Sequence, residues 1–174
     1  MKKLILMLLV FASCSQEQAT SNPANGFISG TKSKVTIGSQ DAVEIFKKLD
    51  NAWAKLDYEL IKTFFADEAA LNFLDGYVAK TPQEFIDKIK SEVTRVQSEG
   101  NSYKWTTDYA FALAATDDGS ADNDLDKGDW VNAQFTSKST NPNSKIDSEI
   151  FYEYYHIIDG KVVSWNSFRK IINK

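Results

Sequence analysis

The chain is poor in the residues that bring strong chemistry. It holds one cysteine, Cys14, and one histidine, His156, in 174 residues. A lone cysteine excludes a disulfide framework and a cysteine-type zinc site, because both need partners. The folded part must therefore stand on its apolar core. No Gly-x-Gly-x-x-Gly, phosphate-binding loop, nucleophile elbow or His-Glu-x-x-His occurs, so no motif calls for a nucleotide, a cofactor or a metal. Basic residues are in the minority, 20 against 24 acidic, and nucleic acid is not an expected partner. No apolar run reaches the about 20 residues a helix needs to cross a bilayer. What the chain does hold is aromatic area: four Trp, seven Tyr and eleven Phe. In a chain of this size they imply a large core, an aromatic-lined pocket, or both.

The apolar run at residues 4–12 follows Lys2 and Lys3 and ends in the small residues Ala12 and Ser13. That is the pattern of a cleaved signal peptide. Phe11-Ala12-Ser13-Cys14 resembles the lipobox of bacterial lipoproteins, with Phe11 where that family prefers Leu. The resemblance implies that Cys14 becomes a lipid-bearing N terminus. It would hold the chain at a membrane of the cell envelope outside the cytoplasm, the outer membrane or the cell surface. The alternative is an ordinary secretory signal with an incidental cysteine. Each buried methylene contributes about 0.8 kcal/mol and a single acyl chain anchors only marginally, so durable attachment requires two or three chains on Cys14. Residues 15–26 have no apolar period and read as a tether. Extended through Gly38, it would span roughly 25–30 Å as a coil. The expected division is a leader at 1–13, the lipidated cysteine and tether at 14–38, and one domain at 39–174.

Within that tether, Phe27-Ile28 and Val35-Thr36-Ile37 are candidates for an edge strand. From Asp41 the positions Val43, Phe46, Leu49, Ala52, Trp53 and Leu56 repeat at helical spacing, with Asp41 and Glu44 in capping-box relation. Asp57 is the expected cap of a shorter helix carrying Leu60, Ile61, Phe64 and Phe65. Ala69 to Leu74 reads as a strand, Asp75-Gly76 as a turn and Tyr77 to Lys80 as a short strand. Thr81-Pro82-Gln83-Glu84 then starts a third helix, with Phe85, Ile86, Ile89 and Val93 on its buried stripe and Gly100 at its end. Beyond Gly100 the period becomes two. Tyr103 to Ala115, Asp129 to Ser137, Ser148 to Ile158 and Lys161 to Ile172 read as four strands, the last two joined at Asp159-Gly160. The expected class is α+β, three N-terminal helices packed on one face of an antiparallel sheet.

The stretch from Trp53 to Leu71, with Phe65-Ala66-Asp67-Glu68-Ala69 at its end, resembles the nuclear transport factor 2-like superfamily. So do Asp75-Gly76, the capped helix after it and Ile158-Asp-Gly-Lys-Val-Val-Ser164. That superfamily includes the SnoaL-like cyclases and the ketosteroid isomerases. The likeness covers residues 40–172 and its motifs mark the fold. It implies a curved sheet wrapped around the helices into a cone, with a pocket at the wide end. In the ketosteroid isomerases a carboxylate moves a proton while a tyrosine and a protonated acid hold the oxyanion. The resemblance places the base at Phe73, the tyrosine at Leu49 and the acid at Glu153, so only one carboxyl of that set is kept. Related epoxide hydrolases use an Asp-Arg-Asp set, and related dehydratases use a histidine with an acid and tyrosines.

Strand alternation then sorts the candidates. If Glu153 faces inward, so do Tyr155 and Ile157, while Tyr152, Tyr154 and His156 face outward; a one-residue slip reverses this. The same argument turns Trp165, Ser167 and Arg169 inward. Glu153 and Arg169 are then expected to meet, either as a buried ion pair or to orient the polar end of a ligand. Leu49, Trp53, Phe73, Tyr155 and Trp165 are the expected apolar wall, with plain core packing as the competing role for Leu49 and Phe73. Asp122, Asp124 and Asp126 alternate as in a calcium loop, but Lys127 stands where glycine is needed and no glutamate closes the loop. A solvated connection fits better. Three functions remain open. The first is a non-catalytic binding protein for a small apolar ligand. The second is a SnoaL-like or ketosteroid-isomerase-like enzyme (isomerase, cyclase or hydratase) using Glu153. The third is a dimer or partner module using Tyr152, Tyr154 and His156.

Overall fold

The computed structural model describes residues 23–116, 125 and 127–174. The leader, Cys14 and the aspartates Asp117, Asp118, Asp122, Asp124 and Asp126 of the acidic loop lie outside the described residues. Two short strands come first, β1 (Gly26–Phe27) and β2 (Lys34–Ile37). They form a hairpin, and β2 pairs antiparallel with the later strand β5 (Thr106–Ala115), Val35 lying opposite Ala115 and Ile37 opposite Leu113. This corrects the expected start of the domain at residue 39. The backbone groups of this stretch find ladder partners on a sheet edge, so it is not a tether running through Gly38.

Helix α1 (Gln40–Ala54) is capped by Ser39, whose Oγ accepts from the Ala42 N–H at 3.1 Å. Asp129 holds that serine, accepting from its N–H at 2.8 Å and its hydroxyl at 2.7 Å. The Asp41–Glu44 box does not form, and Glu44 pairs with Lys47 at 2.7 Å instead. Gly38 permits this close approach: a Cβ there would stand 2.5 Å from Asp129 Oδ1 and 2.9 Å from the Ala112 carbonyl carbon. Helix α2 (Tyr58–Thr63) is capped by Asp57, which accepts from the Leu60 N–H at 3.1 Å.

Strand β3 (Phe65–Asn72) starts as soon as α2 ends, earlier than Ala69, because the Phe64 carbonyl is taken by the Val162 N–H at 2.8 Å. A turn at Gly76, whose φ is +85°, leads to β4 (Val78–Ala79). Helix α3 (Pro82–Ser98) is capped by Thr81, whose Oγ accepts from the Glu84 N–H at 3.2 Å, and the Glu84 carboxylate reaches one residue past the cap to accept from the Lys80 N–H at 2.8 Å.

Strands β6 (Asp129–Lys138), β7 (Ile146–Ile158) and β8 (Lys161–Asn173) complete a sheet of order β1-β2-β5-β6-β7-β8-β3-β4. Strand β3 runs parallel to β8, so the sheet is mixed and not wholly antiparallel. Strands are also interleaved with the helices, because the β3–β4 pair connects α2 to α3; the helices do not form an N-terminal block.

Cross-strand register places Val131, Tyr155, Trp165 and Leu71 in one row across β6, β7, β8 and β3. The helices cover that face. Phe46 of α1 packs on Tyr155 and Phe135, Trp53 on Trp165, and Phe85 of α3 on Trp165 at 5.2 Å between ring centres. Each such aromatic removed from water contributes about 1.5–3 kcal/mol. Bulges interrupt the ladder near Thr107–Tyr109 and at His156–Ile157, where extra residues bend the strand and raise its twist.

Candidate functional site

Between α1, α3 and the inner sheet face lies a cavity of about 480 Å3, within the usual range for small-molecule sites. Strand β7 supplies Glu149, Phe151, Glu153 and Tyr155 by its two-residue alternation, and β8 supplies Trp165, Ser167 and Arg169. Helix α1 adds Asp50 and Trp53, and the segment before β5 adds Tyr103 and Trp105.

Glu153 sits on the floor. Its Oε2 accepts from the Tyr155 hydroxyl and from Trp165 Nε1 at 3.0 Å, and its Oε1 accepts from Ser167 Oγ at 3.1 Å. Burial raises its pKa above the ordinary glutamate range, and the charge of Asp50 adds to that push, while the three donors pull the other way. Burial likewise raises Tyr155 well above the usual phenol value, with the neighbouring Glu153 charge as the next cause.

A second carboxylate faces the same space. Asp50 Oδ1 accepts from Trp105 Nε1 at 2.9 Å and Oδ2 from Thr107 Oγ1 at 2.7 Å. Trp53 gives its indole N–H to the Tyr103 oxygen at 3.3 Å, and burial raises the Tyr103 pKa. Around the mouth several charges are closed on one another. Lys88 pairs with Asp75 at 2.5 Å and with Glu92 at 3.0 Å, and Arg95 bridges Glu92 and Glu99.

Of the residues expected at a pocket, Trp53, Phe73, Glu153, Tyr155, Trp165 and Arg169 line the cavity. Leu49 does not. It is 1% exposed and belongs to the core behind the wall. Arg169 turns away from Glu153 and pairs with Glu149 at 2.9 Å. Both acids are diagonal neighbours of Arg169 on β7, and the pair nearer the mouth costs less desolvation.

On the outer face Tyr152 and Tyr154 are exposed, together with Tyr109, Phe111 and Phe168. His156 is on that face but is only 5% exposed. Its ring stacks on Trp130 at 3.9 Å and its Nε2 bonds to the Lys127 carbonyl at 2.7 Å. It therefore contributes no open aromatic surface, contrary to its expected place in a partner patch.

Asp50, Tyr103, Trp105 and Thr107 were not foreseen. Asp50 had a signal: it falls between Phe46 and Trp53 at helical spacing, so an acid stands on the buried stripe of α1. Trp105 and Thr107 stand two residues apart where the chain enters β5, but nothing in their spacing announces Asp50 as their acceptor.

The architecture matches solved structures at low identity. A Kribbella flavida protein described as a "putative ketosteroid isomerase" superposes with a TM-score of 0.54 at 8% identity, over 79% of this chain and 84% of that one. An LEH-like epoxide hydrolase from M. tuberculosis gives 0.50 at 10% identity, over 76% and 84%. A nuclear transport factor 2-like protein from Burkholderia thailandensis gives 0.52 at 13% identity, over 73% and 88%. No protein-family model matches the sequence, and no curated protein matches it. The chain has the nuclear transport factor 2-like fold, α+β, with three helices and an eight-stranded sheet among the described residues.

Proposed function

We propose that this domain is a binding protein for a small, largely apolar ligand, held at a membrane of the bacterial cell envelope through an acylated Cys14. The observation that carries the ligand reading is the cavity: aromatic walls from Trp53, Phe73, Trp105 and Trp165, with polar floor groups already bonded to one another. A fold that only needed a core would be expected to fill such a volume with side chains. The support for the anchor is the sequence of residues 1–14. A conical shape with the cavity at its wide end belongs to this reading. The proposal is non-catalytic because Phe73 and Leu49 stand where the resemblance places the base and the oxyanion tyrosine. Phe73 is packed against Phe85 and Trp165.

Native mass spectrometry and thermal-shift screening against lipophilic compounds test the binding function. Bound compounds lost in the cavity-filling variant Ser167→Phe support it; no binding by any compound overturns it.

One observation favours an enzyme as the second reading. Glu153 is a carboxyl raised above its usual range in a cavity, with Oε1 accepting from Ser167 alone among the described residues. It would be the acid of an isomerase, cyclase or hydratase. Turnover that survives Glu153→Gln would remove that assignment.

The exposed aromatics of the outer face support a third element, self-association through the sheet. Tyr109 and Phe111 stack at 6.0 Å and Tyr154 meets Phe168 edge-on at 5.8 Å. Contiguous apolar surface of this kind marks contact sites.

A further inference from the structure

Around Asp50 and Glu153 the hydrogen-bonding capacity left open is one-sided. Trp165, Tyr155 and Ser167 spend their donors on Glu153, Trp105 and Thr107 spend theirs on Asp50, and Trp53 spends its indole N–H on Tyr103. Among these described residues the Tyr103 O–H is the remaining donor. Acceptors are not exhausted. An ionised carboxylate offers roughly four acceptor sites, of which Asp50 uses two and Glu153 three.

Around Asp50 and Glu153 the charge is one-sided too, the cations of the lining standing at the mouth. Lys88, Arg95 and Arg169 are closed on acids at the mouth. Lys104 and Lys138 are exposed there. Among the described residues no Lys or Arg forms an ion pair with Asp50 or Glu153. Two acids therefore face an aromatic-walled space without a counter-ion, an arrangement whose cost a bound cation relieves. Indole faces attract cations as well. An anionic ligand seated between Asp50 and Glu153 would meet both carboxylates, with the Tyr103 O–H as the donor left over among the residues around them.

We propose that the ligand of this cavity is an amine: an ammonium group on a small apolar or aromatic body, its N–H donors directed at Asp50 and Glu153 and its charge against the indole faces of Trp53, Trp105 and Trp165. This rests on the reading of the cavity as a ligand site and names the class of ligand.

The test titrates the full mature chain with three congeners of similar size: phenethylamine, phenethyl alcohol and phenylpropanoate. Tryptophan emission and calorimetry report binding. The amine is expected to bind at least about tenfold more tightly than the alcohol, since a hydrogen bond to a charged group is worth that factor, and the carboxylate is expected to bind weakest. Asp50→Asn and Glu153→Gln should each reduce the amine-to-alcohol affinity ratio about tenfold. If Glu153→Gln does not fold, Asp50→Asn, checked by circular dichroism, carries the comparison. An alcohol or carboxylate that binds as tightly as the amine, or a ratio that neither variant changes, overturns the amine assignment and leaves the ligand site standing. Failure of all three congeners to bind overturns the ligand site, and the assignment with it.

Discussion

Replacing Glu153 with Gln isolates the cost of a buried charge. The amide can keep its oxygen toward Tyr155 and Trp165, the two donors on Oε2, and turn its NH2 toward the Ser167 oxygen, which accepts as readily as it donates. One hydrogen bond reverses direction and none is lost. In acid, where Glu153 is protonated, the two proteins should therefore agree within about 1 kcal/mol. They part as pH rises. Because folding raises the Glu153 pKa, its contribution to stability is complete below the ordinary glutamate value of about 4.3 and is lost as pH climbs through the folded value. In that window the wild type falls by up to about 1.4 kcal/mol per pH unit relative to the variant.

Urea unfolding of both proteins between about pH 4.5 and about pH 8 measures the difference directly. All other titrating groups cancel to first order, so the difference curve belongs to Glu153. The expected result is a variant that gains on the wild type with rising pH. Parallel curves, or a variant that loses ground, would show that the three donors hold the carboxylate more strongly than burial penalises it, refuting the electrostatic account of the floor.

Three further outcomes follow from other parts of the chain. Ser39→Ala removes the cap of α1 and the serine hydroxyl's bond to Asp129; it should cost about 1 kcal/mol and lower the melting temperature by about 2–4 °C in a thermal scan. Phe168, 55% exposed on the outer face, should be an interface residue: wild-type protein sedimenting above the monomer at high concentration, with Phe168→Glu monomeric, supports self-association. A wild type monomeric throughout removes it. Cys14→Ser should move the protein from the membrane pellet to the soluble fraction, and a variant that still pellets with membranes contradicts lipid anchoring.

The elements readable in the sequence are those whose signal is local. The stripe Phe46, Leu49, Ala52 and Trp53 marks α1, the Thr81 cap with Pro82 after it starts α3, and two-residue alternation runs through β5 to β8. The alternation also divided β7 into a cavity row and an outer row. The parts that were not readable depend on long-range partners. The parallel pairing of β3 with β8 and the docking of β2 on β5 join segments far apart in the chain. Ser39 took the cap from Asp41 because Asp129, brought in by β6, holds it. Arg169 had two acids within diagonal reach, and it pairs with Glu149, while Glu153 is held by Tyr155, Trp165 and Ser167. His156 sat on the expected face, but the stack with Trp130 covers it, and that contact joins two strands.

If ligands enter the space between the helices and the inner sheet face, the four tryptophans should report it residue by residue. Trp53, Trp105 and Trp165 line that cavity, while Trp130 stacks on His156 on the outer face. Indole N–H resonances recorded during titration with phenethylamine and phenethyl alcohol should shift for the three cavity residues and stay fixed for Trp130. A spectrum in which Trp130 alone moves, or in which no indole moves at saturating probe, contradicts a ligand site in this cavity.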